Sequence, residues 1–191
     1  MIITMIHFEK IFLSWFVKTK FLLKKNYNIF RYGKNIFIDP SARISPNARL
    51  KIVNGGKIVI GKNCEIHDFA ILQTYGGQIL IEKNVFIGPY CVIYGHGGVT
   101  IGACTKIATQ TVIIPSNHRY SSFDQKIYLQ GEISRGIIIG EDVWIGSGVK
   151  VLDGVTIEKG CVIGAGAVVN KSTVSFGVYV GIPAKKIKSR L

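Results

Sequence analysis

The sequence predicts an all-β solenoid, a parallel β-helix of about six triangular coils. Three observations predict it. An aliphatic residue recurs every six positions, insertions fall only after every third recurrence, and the chain is rich in glycine and β-branched residues, with 22 glycines in 191 residues. Hydrophobic residues make up 48% of the chain and charged residues 18%. That is enough apolar material for one packed core and excludes a disordered chain.

The repeat is clearest in the C-terminal half. Ile139, Ile145, Val151, Ile157, Ile163 and Val169 stand six apart without a break. Four residues after each come Val143, Val149, Val155, Cys161, Ala167 and Thr173, all small or β-branched. Going backward, the same register forms trios: Ile101, Ile107 and Ile113; Ile81, Ile87 and Ile93; Ile60, Ile66 and Leu72; Ile38, Ile44 and Leu50. The pairs Gly55-Gly56, Gly76-Gly77 and Gly97-Gly98 mark the first three interruptions. Three six-residue segments therefore make one coil, and every insertion leaves from the same corner. An ordinary sheet gives no reason for that spacing. Six coils at ~4.8 Å give a prism roughly 29 Å tall. The aliphatic residues are expected to stack inward. Cys64, Cys91 and Cys161 fall on the small position and read as buried hydrophobes rather than ligands, since no CxxC pair or zinc spacing occurs.

A solenoid exposes an apolar cross-section and a strand edge at each end, and both need cover. Residues 1–35 are expected to form a basic amphipathic N-terminal cap with helical character. Residues 36–174 form the solenoid, with an active-site loop at 114–138. Residues 175–191 form a basic C-terminal tail or helix. The formal net charge is +13, concentrated at the two ends. The N-terminal segment carries Lys10, Lys18, Lys20, Lys24, Lys25, Arg31 and Lys34 against Glu9. It fits either a cap over the first coil or a peripheral anchor on an anionic membrane. Its apolar run at residues 11–17 is too short to span a bilayer, and its positive charge follows that run instead of preceding it as in a signal peptide. Unpaired cysteines fit a reducing cytoplasm.

Residues 139–188 carry VWIG, IGAGAVV and GIPAKKI downstream of Asn117-His118. In this combination the chain resembles the hexapeptide-repeat acetyltransferases over about residues 36–190. Within them it is similar to the maltose and galactoside acetyltransferases, the antibiotic acetyltransferases and the O-acetyltransferases of surface polysaccharides. The resemblance implies a left-handed coil, against the usual right-handed crossover, acetyl-coenzyme A as cosubstrate, no metal, and a homotrimer with its active sites between subunits.

The same resemblance implies site residues. Pro115-Ser116-Asn117-His118 opens the longest insertion, where the family carries its catalytic histidine. A sugar hydroxyl is a poor nucleophile until a base of near-neutral pKa takes its proton, so His118 is the expected general base in a direct transfer. Trp144 matches a tryptophan beside the pantetheine arm. Ser147 and Ala165 match positions whose backbone bonds the pantetheine amides. Asn170 and Lys171 match a pair near the adenine and phosphates. Lys185 and Lys188 match basic residues that pair with phosphates, with the charge kept but the arginine fork lost. The family's acceptor-binding Asn has no counterpart around Gly88, where the chain reads IGPYCVIYG, so Tyr90, Tyr94 and His96 are open as lining groups.

The expected activity is acetyl transfer to a sugar hydroxyl in surface polysaccharide synthesis. An antibiotic or an amino sugar is the alternative acceptor, and a non-catalytic solenoid the alternative class. A three-histidine metal enzyme on the same fold is disfavoured, because His67, His96 and His118 include no close HxxxxH pair. Nucleic acid is not an expected partner, since the strands show no aromatic-basic platform.

Overall fold

The structure is a computed structural model that describes residues 34–190. The cap expected at residues 1–35 falls almost wholly outside the described residues. The rest is a parallel β-solenoid of six triangular coils with three flat faces.

The first face stacks the strands Ile36–Ile38, Lys57–Ile60, Gln78–Ile81, Val99–Ile101, Ile137–Ile139 and Thr156–Ile157. The second stacks Arg43–Ile44, Glu65–Ile66, Phe86–Ile87, Lys106–Ile107, Trp144–Ile145 and Val162–Ile163, then Gly177–Val180 and Lys185–Ser189. The third stacks Arg49–Lys51, Ile71–Gln73, Val92–Tyr94, Val112–Ile114, Lys150–Leu152 and Val168–Val169.

Each strand alternates because one face of its pleat meets the core. In Gln78–Ile81, Ile79 and Ile81 are buried while Gln78 is exposed. The registers place equivalent residues over one another, as in Ile66, Ile87, Ile107, Ile145 and Ile163. This single column is fully or almost fully buried. The small positions stack as well. Ala42, Cys64, Val85, Val143 and Cys161 are buried apolar members of one column. Its one polar member, Thr105, donates its hydroxyl to the Gly140 carbonyl at 2.9 Å. At the next corner, Thr111 does the same to Gly146 at 3.1 Å. Buried hydroxyls are tolerated here because the turn carbonyl of the adjoining coil accepts from them.

The glycine pairs lie where the third face returns to the first. A Cβ on Gly77 would meet the carbonyl oxygens of Gly95 and His96 at 2.1 Å, so the coils close up there only without a side chain. The same corner emits the long insertion. The strand before it ends at Ile114 and the strand after it begins at Ile137, so the loop runs over residues 115–136.

The C-terminal segment, expected as a tail or helix, is a β-hairpin. Gly177–Val180 continues the second face in parallel with Val162–Ile163, and Lys185–Ser189 pairs back antiparallel. Tyr179 takes the core position above Ile163 and closes the column. Its hydroxyl oxygen accepts from the Val174 N–H at 2.8 Å. Arg190 pins the hairpin's end, donating to Asp142 Oδ2 at 2.8 Å and to the Gly160 carbonyl at 3.0 Å. A solenoid end needs its edge strand covered, and an antiparallel return achieves this with the fewest residues.

Candidate active site

His118 lies on a two-stranded antiparallel ribbon at the loop's root. Asn117 pairs with Ile133, and His118 with Glu132. The returning arm is fixed by Asp153, whose Oδ1 accepts the N–H groups of Arg135 at 2.7 Å and Gly136 at 3.1 Å. Farther out, the Gln130 amide ties the loop together, donating to the Ser122 and Gln125 carbonyls at 3.0 and 2.7 Å. The imidazole of His118 is exposed and lines a cleft of about 470 Å³ with Arg119, Tyr120, Arg135 and Asp153.

Glu132 is a candidate site residue that sequence reasoning did not single out. Its Oε1 lies 3.9 Å from His118 Nδ1 and its Oε2 4.0 Å from His96 Nε2. Ser116 Oγ donates to Oε2 at 3.2 Å. One carboxylate thus stands between two histidines 22 positions apart in the chain. The ribbon's register carries that pairing, and a six-residue periodicity says nothing about it. A carboxylate facing Nδ1 favours the tautomer with its proton there, which leaves Nε2 as the basic atom.

His96 sits below the loop root. Its ring stacks on Tyr75 with centroids 4.6 Å apart and planes at 9°, and Tyr94 leans on both rings. Burial, followed by the neighbouring Tyr75 hydroxyl, pushes the Tyr94 phenol above its usual range. Tyr94 and His96, left open by the sequence, therefore join the His118 corner. Tyr90 does not: it lies at the corner between the second and third faces, stacked on Phe69 at 5.0 Å.

The residues implied for the coenzyme lie away from that histidine. Trp144 points outward from the second face, exposed, in one column with Lys106, Val162, Val178 and Lys188. Lys188 stands three strands above Trp144, roughly 14 Å away. Lys185 is exposed on the same strand. Ser147 and Ala165 are exposed on successive coils at the corner of the second and third faces, and the Gly166 N–H donates to the Ser147 carbonyl at 2.8 Å. The coils meet closely there because a Cβ on Gly146 would come within 2.6 Å of the Ala165 nitrogen. Asn170 and Lys171 follow the last strand of the third face, both exposed.

Within one chain these groups form two separate sets. His118 with Glu132 and His96 occupies the corner between the third and first faces. Trp144, Ser147 and Ala165 occupy the second face and its far corner.

Among the described residues, no three His, Cys, Asp or Glu side chains converge to hold a metal, and no helix is long and apolar enough to cross a membrane. A second cleft of about 480 Å³, lined by Asn35, Phe37, Lys57 and Gly77 among others, contains none of the candidate residues.

Comparisons with known proteins fit this geometry. Residues 136–171 match the family model for the bacterial transferase hexapeptide (six repeats), and residues 78–113 match that for the hexapeptide repeat of succinyl-transferase. A variant of AntD, an N-acyltransferase from Bacillus cereus, in complex with dTDP-4-amino-4,6-dideoxyglucose and coenzyme A, is 25% identical with a TM-score of 0.74, over 88% of this chain and 89% of that one. A second AntD variant, with dTDP and coenzyme A, is 28% identical with a TM-score of 0.68, over 78% and 82% of the two chains. PerB from Caulobacter crescentus, in complex with coenzyme A and GDP-perosamine, shares the fold at 19% identity and a TM-score of 0.52, over 87% and 64%. No curated protein matches the chain in sequence. The repeat, the solenoid and these matches together make the chain similar to the hexapeptide-repeat transferases.

Proposed function

We propose that the protein transfers an acetyl group from acetyl-coenzyme A to a hydroxyl of a saccharide destined for a surface polysaccharide, with His118 as general base. The observation that carries this reading is the Glu132 carboxylate facing Nδ1 of an exposed histidine beside an open cleft. The hydroxyl oxygen attacks the thioester carbonyl carbon while His118 Nε2 takes its proton. The carbon–sulfur bond then breaks, and the imidazolium returns the proton to the leaving thiolate. The products are the sugar ester and free coenzyme A. An amine acceptor makes less demand on a base, whereas a hydroxyl needs one throughout.

The coenzyme would lie along the second face. Trp144 would flank the pantetheine, and the Ser147 and Ala165 backbones would bond its amides. Asn170, Lys171, Lys185 and Lys188 would meet the adenine and phosphates. This places coenzyme and histidine on different sides of one subunit. A homotrimer resolves it by bringing the histidine corner of one subunit against the second face of the next. The loop supports that arrangement. Phe123, Tyr128, Tyr120, Leu129 and Ile127 all stand exposed on it, an apolar surface suited to a neighbouring subunit.

A second reading, transfer to a sugar amine, is favoured by the likeness to AntD, an N-acyltransferase. A nucleotide-linked sugar is the acceptor form to try first under both readings, because AntD and PerB were captured with such ligands.

Calorimetric titration with acetyl-coenzyme A, compared with dephospho-coenzyme A, tests the reading without knowledge of the acceptor. Saturable binding that weakens without the 3′-phosphate is the expected result. An absence of binding to folded protein would return the chain to a structural solenoid. Once an acceptor releases free thiol, mild base distinguishes the two readings: an ester is cleaved and an amide survives.

A further inference from the structure

His96 is the only side chain among the described residues with a buried polar atom that lacks a hydrogen-bond partner, its Nδ1. A buried nitrogen without a protein partner is tolerated as a bare lone pair but not as an N–H, because a buried donor without an acceptor loses its hydration and recovers nothing. The proton therefore belongs on Nε2, the atom that faces Glu132 Oε2 at 4.0 Å.

The ring is held in that orientation by rigid neighbours. Tyr75 stacks flat against it, and the Tyr75 hydroxyl is itself anchored to Gln73 Oε1 at 2.9 Å. Tyr94 leans on both rings, its centroid 5.8 Å from that of His96 and 4.8 Å from that of Tyr75. The backbone below is fixed by the close approach of Gly77. His96 thus belongs to the solenoid, whereas His118 stands exposed on a two-residue strand of the loop.

We infer that His96 is a positioning residue for the proposed base. Ser116 Oγ donates to Glu132 Oε2 and His96 Nε2–H faces the same oxygen at 4.0 Å, which turns Oε1 toward His118 Nδ1 and holds that imidazole with its proton on Nδ1 and its lone pair on Nε2. The chain His96, Glu132, His118 transmits the rigidity of the coil to a base on a loop. A base gains from such fixing because misplacement by about 1 Å can cost on the order of 100-fold in rate. The inference rests on His118 being the base for its kinetic consequence, but not for its tautomeric one.

The test uses the full-length protein and two variants. His96→Phe keeps the stacking and removes the donor. His96→Gln restores an N–H near the place of Nε2. Nitrogen-15 spectra of the four histidines should show His96 protonated on Nε2 in the wild type and His118 protonated on Nδ1. The His118 signal should become a mixture of tautomers in His96→Phe and recover in His96→Gln. In turnover, His96→Phe should lower kcat by about 10- to 100-fold with KM for acetyl-coenzyme A unchanged, and His96→Gln should recover most of that loss. An unchanged His118 tautomer in His96→Phe, or a wild-type His96 protonated on Nδ1, would overturn the inference, and both are read without turnover. Full activity in His118→Ala would instead remove the base reading while the spectra still decide what His96 does.

Discussion

His118 and Glu132 face each other across a ribbon of two residue pairs, so the proposed chemistry depends on very little secondary structure. Replacing His118 with Ala should lower kcat by about 10²- to 10⁴-fold, the usual contribution of a general base, with coenzyme affinity unchanged by calorimetry. Glu132→Gln keeps the shape and removes the charge, and a smaller kcat loss at constant coenzyme affinity is expected from steady-state assays. The cysteines give an independent check on the core. Cys64, Cys91 and Cys161 are buried and Cys104 is exposed. Burial pushes the Cys91 thiol up to about 11, so no reactive thiolate forms there near neutrality. An aromatic disulfide reagent at pH 8 should titrate one thiol in native protein and all four after unfolding. Because the Cys91 thiol ionises at lower pH in the unfolded chain, near its ordinary 9.0, than in the folded one, its contribution to stability is intact below pH 9. It is lost as pH rises toward 11. The fall in melting temperature over that window should be shallower in Cys91→Ala.

At the scale of elements, the C-terminal hairpin separates its cations by role. Arg190 is consumed by Asp142 and the Gly160 carbonyl, while Lys185, Lys186 and Lys188 are exposed on the strand. Lys185→Ala and Lys188→Ala should each weaken acetyl-coenzyme A binding severalfold, with the loss shrinking as salt rises and screens the phosphates. Dephospho-coenzyme A should show less of the effect. Arg190→Ala removes a half-exposed ion pair and should cost no more than about 1 kcal/mol of stability. The long loop behaves differently, because its order comes from the Gln130 and Asp153 side chains and not from core burial.

At the scale of the molecule, the separation of the two residue sets predicts dependence on assembly. Sedimentation should give three times the 21.0 kDa chain mass. Mixing inactive His118→Ala subunits with coenzyme-defective Trp144→Ala subunits should recover part of the activity, since a mixed trimer can pair an intact histidine corner with an intact second face. Failure of exchanged subunits to recover any would place the whole site within one chain. The core itself should resist local damage poorly. Ile87→Ala empties a fully buried position between Ile66 and Ile107, and about 2–5 kcal/mol of lost stability is expected from denaturant titration.

The solenoid was legible in the sequence because its core uses one rule at every coil. A residue six positions on always meets the same environment, so Ile139 through Val169 declare the fold locally. The loop's place and His118 could be found for the same reason, as an interruption in a regular count with a recognisable motif inside it. Glu132 and His96 could not be read in this way. Their meeting depends on the antiparallel register of Asn117–His118 with Glu132–Ile133 and on the stacking of His96 over Tyr75, and neither follows any period. The C-terminal strand was equally hidden, since a short run of lysines and one isoleucine carries no alternation strong enough to mark a strand until an open sheet edge is there to pair with it. Periodic burial is a property of the chain, and the sequence alone determined it. The contacts around His118 exist only between segments brought together by the coil, so only the tertiary structure decided them.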